Sequence, residues 1–211
     1  HMCTGVFDAV TKAAFQVGSI ITTTGFSSTD FDRWPELSKT LLVLLMFIGA
    51  CAGSTGGGIK VSRIVIAVKT IVKELNGYIH PKSVKKLTFE YKPVDHDVIR
   101  SINVYFMTYA VIFVVSMLLV SVENYDFTTN FTAVAATFNN IGPGLSLVGP
   151  TCNFGFFNNF SKYVLMFDML AGRLELFPLL ILFHPSIWKE LFIQADKKVK
   201  GNRKEKQNVR M

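Results

Sequence analysis

The chain has 211 residues, 50% of them hydrophobic, with 19 Phe and a mean hydropathy of +0.36. That is too apolar for an ordinary soluble domain and points to the membrane class. The net charge of +7 does not imply nucleic-acid binding, because nine of the 22 Lys/Arg lie between Lys60 and Arg100 and eight between Lys189 and Arg210, flanking apolar stretches without interleaved aromatics.

Taken in chain order, the first segment, about Val6 to Ile21, is amphipathic and too short to span, so it is expected to dip in from one side. The uncharged stretch Ile20 to Ser27 follows it. A polar loop, Ser28 to Pro35, leads to a helix favoured at its start by Pro35 and running through Leu41 to Ile48. The Gly-rich run Gly49 to Gly58 interrupts that helix. It is expected to resume near Ile59 and to stop at Asn76-Gly77. Residues 78–97 read as a basic link. Ser101 to Val122 is 22 residues without a charge, long enough to cross a bilayer. Glu123 to Asp126 close that end, and a second short helix, about Thr128 to Phe138, dips back. The uncharged stretch Asn139 to Gly144 and a loop, 147–159, lead to a last helix, about Ser161 to Gln194, with kinks expected at Pro178 and Pro185. The charged tail is expected to fray.

Two copies of one unit are visible. Gly25 and Gly142 are 117 residues apart, and Leu45-Met46-Phe47 precedes Leu165-Met166-Phe167 by 120. The unit reads span, re-entrant half-helix, irregular stretch, span, and internal repeats are common in transport proteins. The first copy lacks its leading span, so a chain of this kind is expected to be a piece of a longer one. Both charge-rich sets lie on one side of the spans, which the positive-inside rule makes cytoplasmic.

Irregular backbone at membrane depth survives only where protein or a water-filled path covers it. A dehydrating cation needs such carbonyls, as in a selectivity filter. Gly permits φ > 0 and turns carbonyls one way, and a half-helix aims its negative end at the site. Thr22, Thr23, Thr24, Gly25 and Phe26 are therefore one candidate filter segment, and Asn140, Ile141, Gly142 and Pro143 the other. Gly53, Ser54, Thr55, Gly56, Gly57 and Gly58 do not make a phosphate-binding loop: Ile59 separates Gly58 from Lys60, and no Ser or Thr follows the Lys directly. Arg173 and Asp168 are charges inside an apolar helix and are expected to face a cavity or a partner, an ion pair of Arg173 with Asp168 or Glu175 being the structural alternative. Cys3, Cys51 and Cys152 form no CxxC pair and the four His are dispersed, so neither a disulfide framework nor a metal site is expected.

The runs Thr22-Thr23-Thr24-Gly25-Phe26, Gly49 to Lys60, Asn140-Ile141-Gly142-Pro143-Gly144 and Ala171-Gly172-Arg173-Leu174-Glu175 resemble the Trk/Ktr/HKT potassium transporter superfamily, and within it the bacterial Trk membrane subunits. The resemblance covers nearly the whole chain. It implies an all-α polytopic membrane protein of span–pore-loop–span repeats like fused potassium-channel protomers, four in the full chain. Residues 1–77 would be a partial third repeat, 78–97 a cytoplasmic linker, 98–195 the fourth repeat and 196–211 a basic cytoplasmic tail. It also implies potassium uptake across the plasma membrane (the bacterial inner membrane), with 53–58 as an intramembrane gate and Arg173 near it. The implied partners are lipid, K+, a cytosolic nucleotide-binding regulatory ring and a second full-length copy in a homodimer. No cofactor, nucleic-acid partner or enzymatic activity is implied. The alternative reading is a transport-incompetent fragment or scaffold of such a transporter. A nucleotide-dependent membrane enzyme is the other rival, disfavoured because no catalytic His/Asp/Glu constellation is visible.

Overall fold

One helix sets the scale of the molecule. Helix α4, His96–Ser121, has 26 residues, about 39 Å at 1.5 Å per residue, enough for a hydrocarbon core of about 30 Å. It is apolar all round but has two faces. Ile102, Tyr105, Tyr109, Ser116 and Val120 are buried against the protein. Met107, Val111, Val114 and Leu118 form an exposed stripe at helical spacing, the face that suits lipid. Among the described residues it alone is long and apolar enough to cross a membrane unaided.

The computed structural model describes residues 5–49, 51, 53, 54, 56–80, 87–89, 92–174, 176, 178 and 181. The chain divides into two units, His1–Leu174 and Glu175–Met211; Leu176, Pro178 and Ile181 of the second are helical. In the first unit, α1 is Val6–Ile21, α2 Glu36–Phe47, α3 Val61–Ile79, α5 Phe127–Phe138 and α6 Asn159–Arg173. Short 3-10 turns sit at Phe31–Arg33, Ser146–Val148 and Phe154–Phe156.

The short helices are short for legible reasons. In α5, the Asp126 carboxylate accepts from the Thr129 backbone N–H at 3.0 Å and from its hydroxyl, a polar N-cap. Helix α5 has 12 residues, about 18 Å, and cannot cross a bilayer. Thr129, Asn130 and every residue from Thr132 to Phe138 are buried, so the helix is surrounded by protein. Helices α4 and α6 pack against it, with Val120, Ala133, Val134, Val148, Phe157 and Leu165 in one core. A second core joins the two copies of the unit: Ile20, Phe31, Leu42 and Met46 of the first close on Ile141 and Leu145 of the second.

Several boundaries depart from the sequence reading. Helix α3 continues through Gly77 to Ile79, because glycine only weakens a helix unless a left-handed cap follows it. The linker is not featureless. Thr88–Phe89 (β1) pairs antiparallel with Lys92–Pro93 (β2), and Leu87 packs with Ile66, Ile99 and Ile102, tying the link to α3 and α4. Helix α6 closes at Arg173, with Leu174 as a non-helical cap. Residues 182–194 of the expected continuation, the kink at Pro185, the basic tail and linker residues 81–86, 90 and 91 lie outside the described residues.

The Asp126 cap gives a test. The Thr129 hydroxyl, the main cause, holds the Asp126 carboxyl below the usual carboxylate range. A depressed folded pKa adds stability that is present above the unfolded pKa, about 4, and is lost as pH falls through the folded one. Asp126→Ala should cost about 1 kcal/mol. The difference in thermal midpoint from wild type should be seen at pH 7 and shrink below pH 4.

Candidate functional site: two matched helix ends at one cavity

Both half-helices end in the same way. After α1, the Thr23 N–H donates to the Ile20 carbonyl at 3.1 Å and the Thr24 N–H to Ser19 at 2.9 Å. After α5, the Asn140 N–H donates to Thr137 at 3.0 Å and the Ile141 N–H to Ala136 at 2.8 Å. Each is a Schellman closure, with its C′ residue left-handed: Thr23 at φ +54° and Asn140 at φ +56°. Two residues on, Gly25 (+76°) and Gly142 (+109°) also have positive φ. Every one of these positions is separated by the 117-residue repeat. Asn tolerates this conformation, but a β-branched Thr at positive φ is a true outlier, and such strain concentrates at functional sites.

Side chains hold the first segment in its arc. The Ser19 hydroxyl donates to the Phe26 carbonyl at 2.6 Å, Gln16 Nε2 to Ser27 Oγ at 3.0 Å, and the Thr22 and Thr24 hydroxyls lie 2.7 Å apart. The segments meet at Gly25. A Cβ there would strike the Ile141 carbonyl oxygen and lie 3.4 Å from Pro143 Cδ. Further out, the Ser146 N–H donates to Asp32 Oδ1 at 3.0 Å, joining the loops that follow the two segments.

A cavity of about 610 Å³ is lined by Thr23 and Thr24 of the first segment, by Asn140, Ile141 and Gly142 of the second, and by Phe154, Gly155 and the α6 residues Lys162, Leu165, Met166 and Met169. The structure thus brings both candidate segments to one space. Thr22, Gly25, Phe26 and Pro143 are not part of that lining; the Phe26 side chain is 72% exposed and Pro143 is half-buried.

The Gly-rich run packs against the end of α5. The Gly49 N–H donates to the Ile59 carbonyl at 2.8 Å, and the Ile59 N–H to Phe47 at 3.2 Å. This bridge pinches the run into a closed loop. Gly53 and Gly58 have positive φ (+84° and +74°). Gly57 lies against α5: a Cβ there would strike the Asn139 carbonyl oxygen and lie 3.0 Å from Asn140 Cβ. Thr55, within the candidate gate, lies outside the described residues.

Gly172 of α6 closes the other side. Its Cβ would strike the Phe138 carbonyl oxygen and approach Asn140 Nδ2 at 2.7 Å. Asn140 Nδ2 itself donates to the Met169 carbonyl at 3.1 Å. The last-turn carbonyls of α5 at Phe138 and Asn139 are thus each covered by a glycine.

The two charges part company. Asp168 is fully buried and accepts from the Ser116 hydroxyl of α4 at 2.6 Å, and it does not line the cavity. Arg173 is exposed. No ion pair joins them, because five residues of helix rotate side chains about 140° apart. The other proposed partner, Glu175, lies outside the described residues. Sequence reasoning missed Tyr109, whose hydroxyl donates to Asn139 Oδ1 at 2.9 Å, and Lys60, which carried a visible signal as a cation among apolar residues at a helix start.

Comparison with known proteins adds the context. A family profile described as TrkH, cation transport protein, matches residues 5–190. The Trk system potassium uptake protein TrkH of Vibrio parahaemolyticus is 43% identical over 189 residues, which cover 90% of this chain and 39% of that protein. The Escherichia coli K12 protein of the same name is 41% identical over 181 residues, 86% of this chain and 37% of its own length. E. coli K12 TrkG is 35% identical over 175 residues, 83% and 36% respectively. The crystal structure of the potassium transporter TrkH from V. parahaemolyticus superposes with a TM-score of 0.80, covering 88% of this chain and 39% of that one. The chain therefore spans about two-fifths of the length of the curated relatives it matches.

The glycine contacts give a graded test. Gly172→Ala should cost about 1–3 kcal/mol or more, since the obstacle is backbone. Gly18→Ala, inside α1 with nothing within 4 Å, should be neutral or stabilising. Abundance and melting temperature in detergent distinguish the two variants.

Proposed function

This chain belongs to the TrkH family of cation transport proteins and has its helical membrane-transporter fold, and from that premise we propose that it forms part of a potassium-uptake pathway across the plasma membrane. The single observation that supports it best is the pair of matched helix ends, with positive φ at Thr23/Gly25 and Asn140/Gly142, which bring Thr23, Thr24, Asn140 and Gly142 to one cavity. Residues 22–26 and 140–143 act as two walls of a selectivity filter. A dehydrated K+ needs carbonyl and hydroxyl oxygens in place of water, and the α1 and α5 carbonyl ends add negative potential beneath it. Four such segments surround an ion. Two come from this chain, as a partial third and a complete fourth repeat, and two from further repeats of the transporter.

Loop 53–58 acts as the gate under the filter, and Arg173 adds a positive barrier near it. Asp168, turned toward α4, braces α6. Residues 78–97 and 196–211 are the cytoplasmic linker and tail, whose basic surfaces suit anionic lipid or a nucleotide-binding regulatory ring. Full-length chains pair as homodimers. The protein carries an ion and transforms no substrate, in keeping with its relatives' names as potassium uptake proteins. Two segments wall only two sides of the cavity, so a fragment that conducts only in the presence of the other repeats is the second reading.

Substitution at the two glycines, in the transporter carrying all four segments, tests the filter. Gly25→Ser meets both strain and the Ile141 carbonyl, whereas Gly142→Ser meets strain alone, with open space around it. Discrimination of K+ over Na+ in flux assays should fall in both, more steeply for Gly25→Ser. Unchanged selectivity in both removes these residues from the filter. Topology has its own test. Cys152 is exposed and should react with an impermeant thiol reagent added outside intact cells, while a cysteine replacing Lys82 should not.

A further inference from the structure

Lys60 is a cation in an unfavourable place. It occupies the N-cap of α3, the positive end of that helix, where a cation is disfavoured. It is only 8% exposed, inside a segment flanked by apolar helices. A residue that breaks a local rule this plainly needs a compensating contact, and the structure supplies one. The ammonium folds back over the Gly-rich loop and donates to the Ser54 carbonyl at 2.6 Å and the Gly56 carbonyl at 2.7 Å.

Both carbonyls belong to the Gly-rich loop. Its ends are already pinned by the bridge between Ile48 and Ile59, and Gly57 lies against Asn139 at the end of α5. Among the described residues of the loop, two short turn contacts hold the backbone: Ser54 N–H to Cys51 O at 3.1 Å and Gly56 N–H to Ser54 Oγ at 3.1 Å. With Gly53, Gly56, Gly57 and Gly58 in the run, the loop has little intrinsic stiffness. A charged donor on two carbonyls is the strongest contact that it makes among the described residues, since hydrogen bonds to charged groups exceed neutral ones.

We propose that Lys60 is a positioning residue that clasps the loop in its closed form, its ammonium occupying the carbonyls of Ser54 and Gly56 and so holding Gly57 beneath the filter. This rests on the reading of the loop as a gate. Opening requires the two carbonyls to leave the ammonium, so the clasp sets the closed population without touching the ion in the filter.

The test uses the full-length transporter and two readouts. Hydrogen exchange of the peptide spanning residues 49–59 reports the clasp, and K+ flux with K+/Na+ selectivity reports the gate. Lys60→Met should speed loop exchange roughly tenfold, the ratio expected for losing a hydrogen bond to a charged donor. It should also raise flux at unchanged selectivity. Lys60→Arg should restore both toward wild type. Exchange in α3, residues 61–79, should not change, whereas a merely structural role would loosen it too. If Lys60→Met does not accumulate, Lys60→Gln is measured in the same way. Unchanged loop exchange, or equal loosening of loop and α3, overturns the clasp. Faster exchange without greater flux overturns its gating role. A wild-type protein that carries no K+ overturns the transport reading instead and leaves the exchange comparison standing.

Discussion

Everything in this structure follows from the need to end a helix inside an apolar slab. A helix leaves four carbonyls without partners at its C-terminus, and lipid offers them no donors. Helices α1 and α5 are too short to carry those carbonyls to water. Each therefore uses a Schellman closure to satisfy two of them internally, which requires a left-handed residue at Thr23 and Asn140. That turn in the chain directs the following backbone along the cavity. The closure thus determines where irregular backbone starts, and α4 and α6 are placed to cover its outer side.

Coverage explains the glycines better than flexibility alone. The Phe138 and Asn139 carbonyls receive no helix donor, and Gly172 and Gly57 approach them so closely that no side chain fits. A methyl group in either place would push α6 or the loop away from the end of α5. Asn139 sits at the centre of this packing, fully buried, with its side chain held by the Tyr109 hydroxyl and the Ala135 carbonyl. The loop, the last helix and the outer helix α4 thus all contact one turn of backbone. A shift of the loop changes what lies against the filter-like segment, so the geometry couples them through direct contact.

Much of this was legible in the sequence, because its strongest signals are length and repetition. The charge-free run 101–122 marked α4, and the 117-residue spacing of Gly25 and Gly142 aligned the two segments. What the sequence hid depended on partners distant in the chain. Thr23 looks like an ordinary β-branched residue, and only the closure of α1 forces it left-handed. The β1–β2 hairpin forms because Leu87 finds Ile66 and Ile99, a contact that no local pattern announces. Asp168 read as a cavity charge, but a carboxylate on the α4 face of α6 meets Ser116 instead. Lys60 entered only as a member of the Gly-rich run and of a failed phosphate-loop match, with no role of its own, because its acceptors are backbone carbonyls that no sequence pattern announces.

The two copies agree in backbone and disagree in chemistry. Thr22 and Thr24 place hydroxyls in the first segment, whereas the matching positions carry Asn139 and Ile141. The Ile141 side chain turns inward, 3% exposed, into the core built by Ile20, Leu42 and Met46 of the first copy. Its carbonyl still faces Gly25. A site made of side-chain oxygens would lose its approximate symmetry at this point. A site made of carbonyls does not, because the closures fix the peptide planes whatever the side chain does. This frees the side chains to hold the repeats together, so that Ile141 packs into the first copy and Asn140 binds α6 without disturbing the matched backbone.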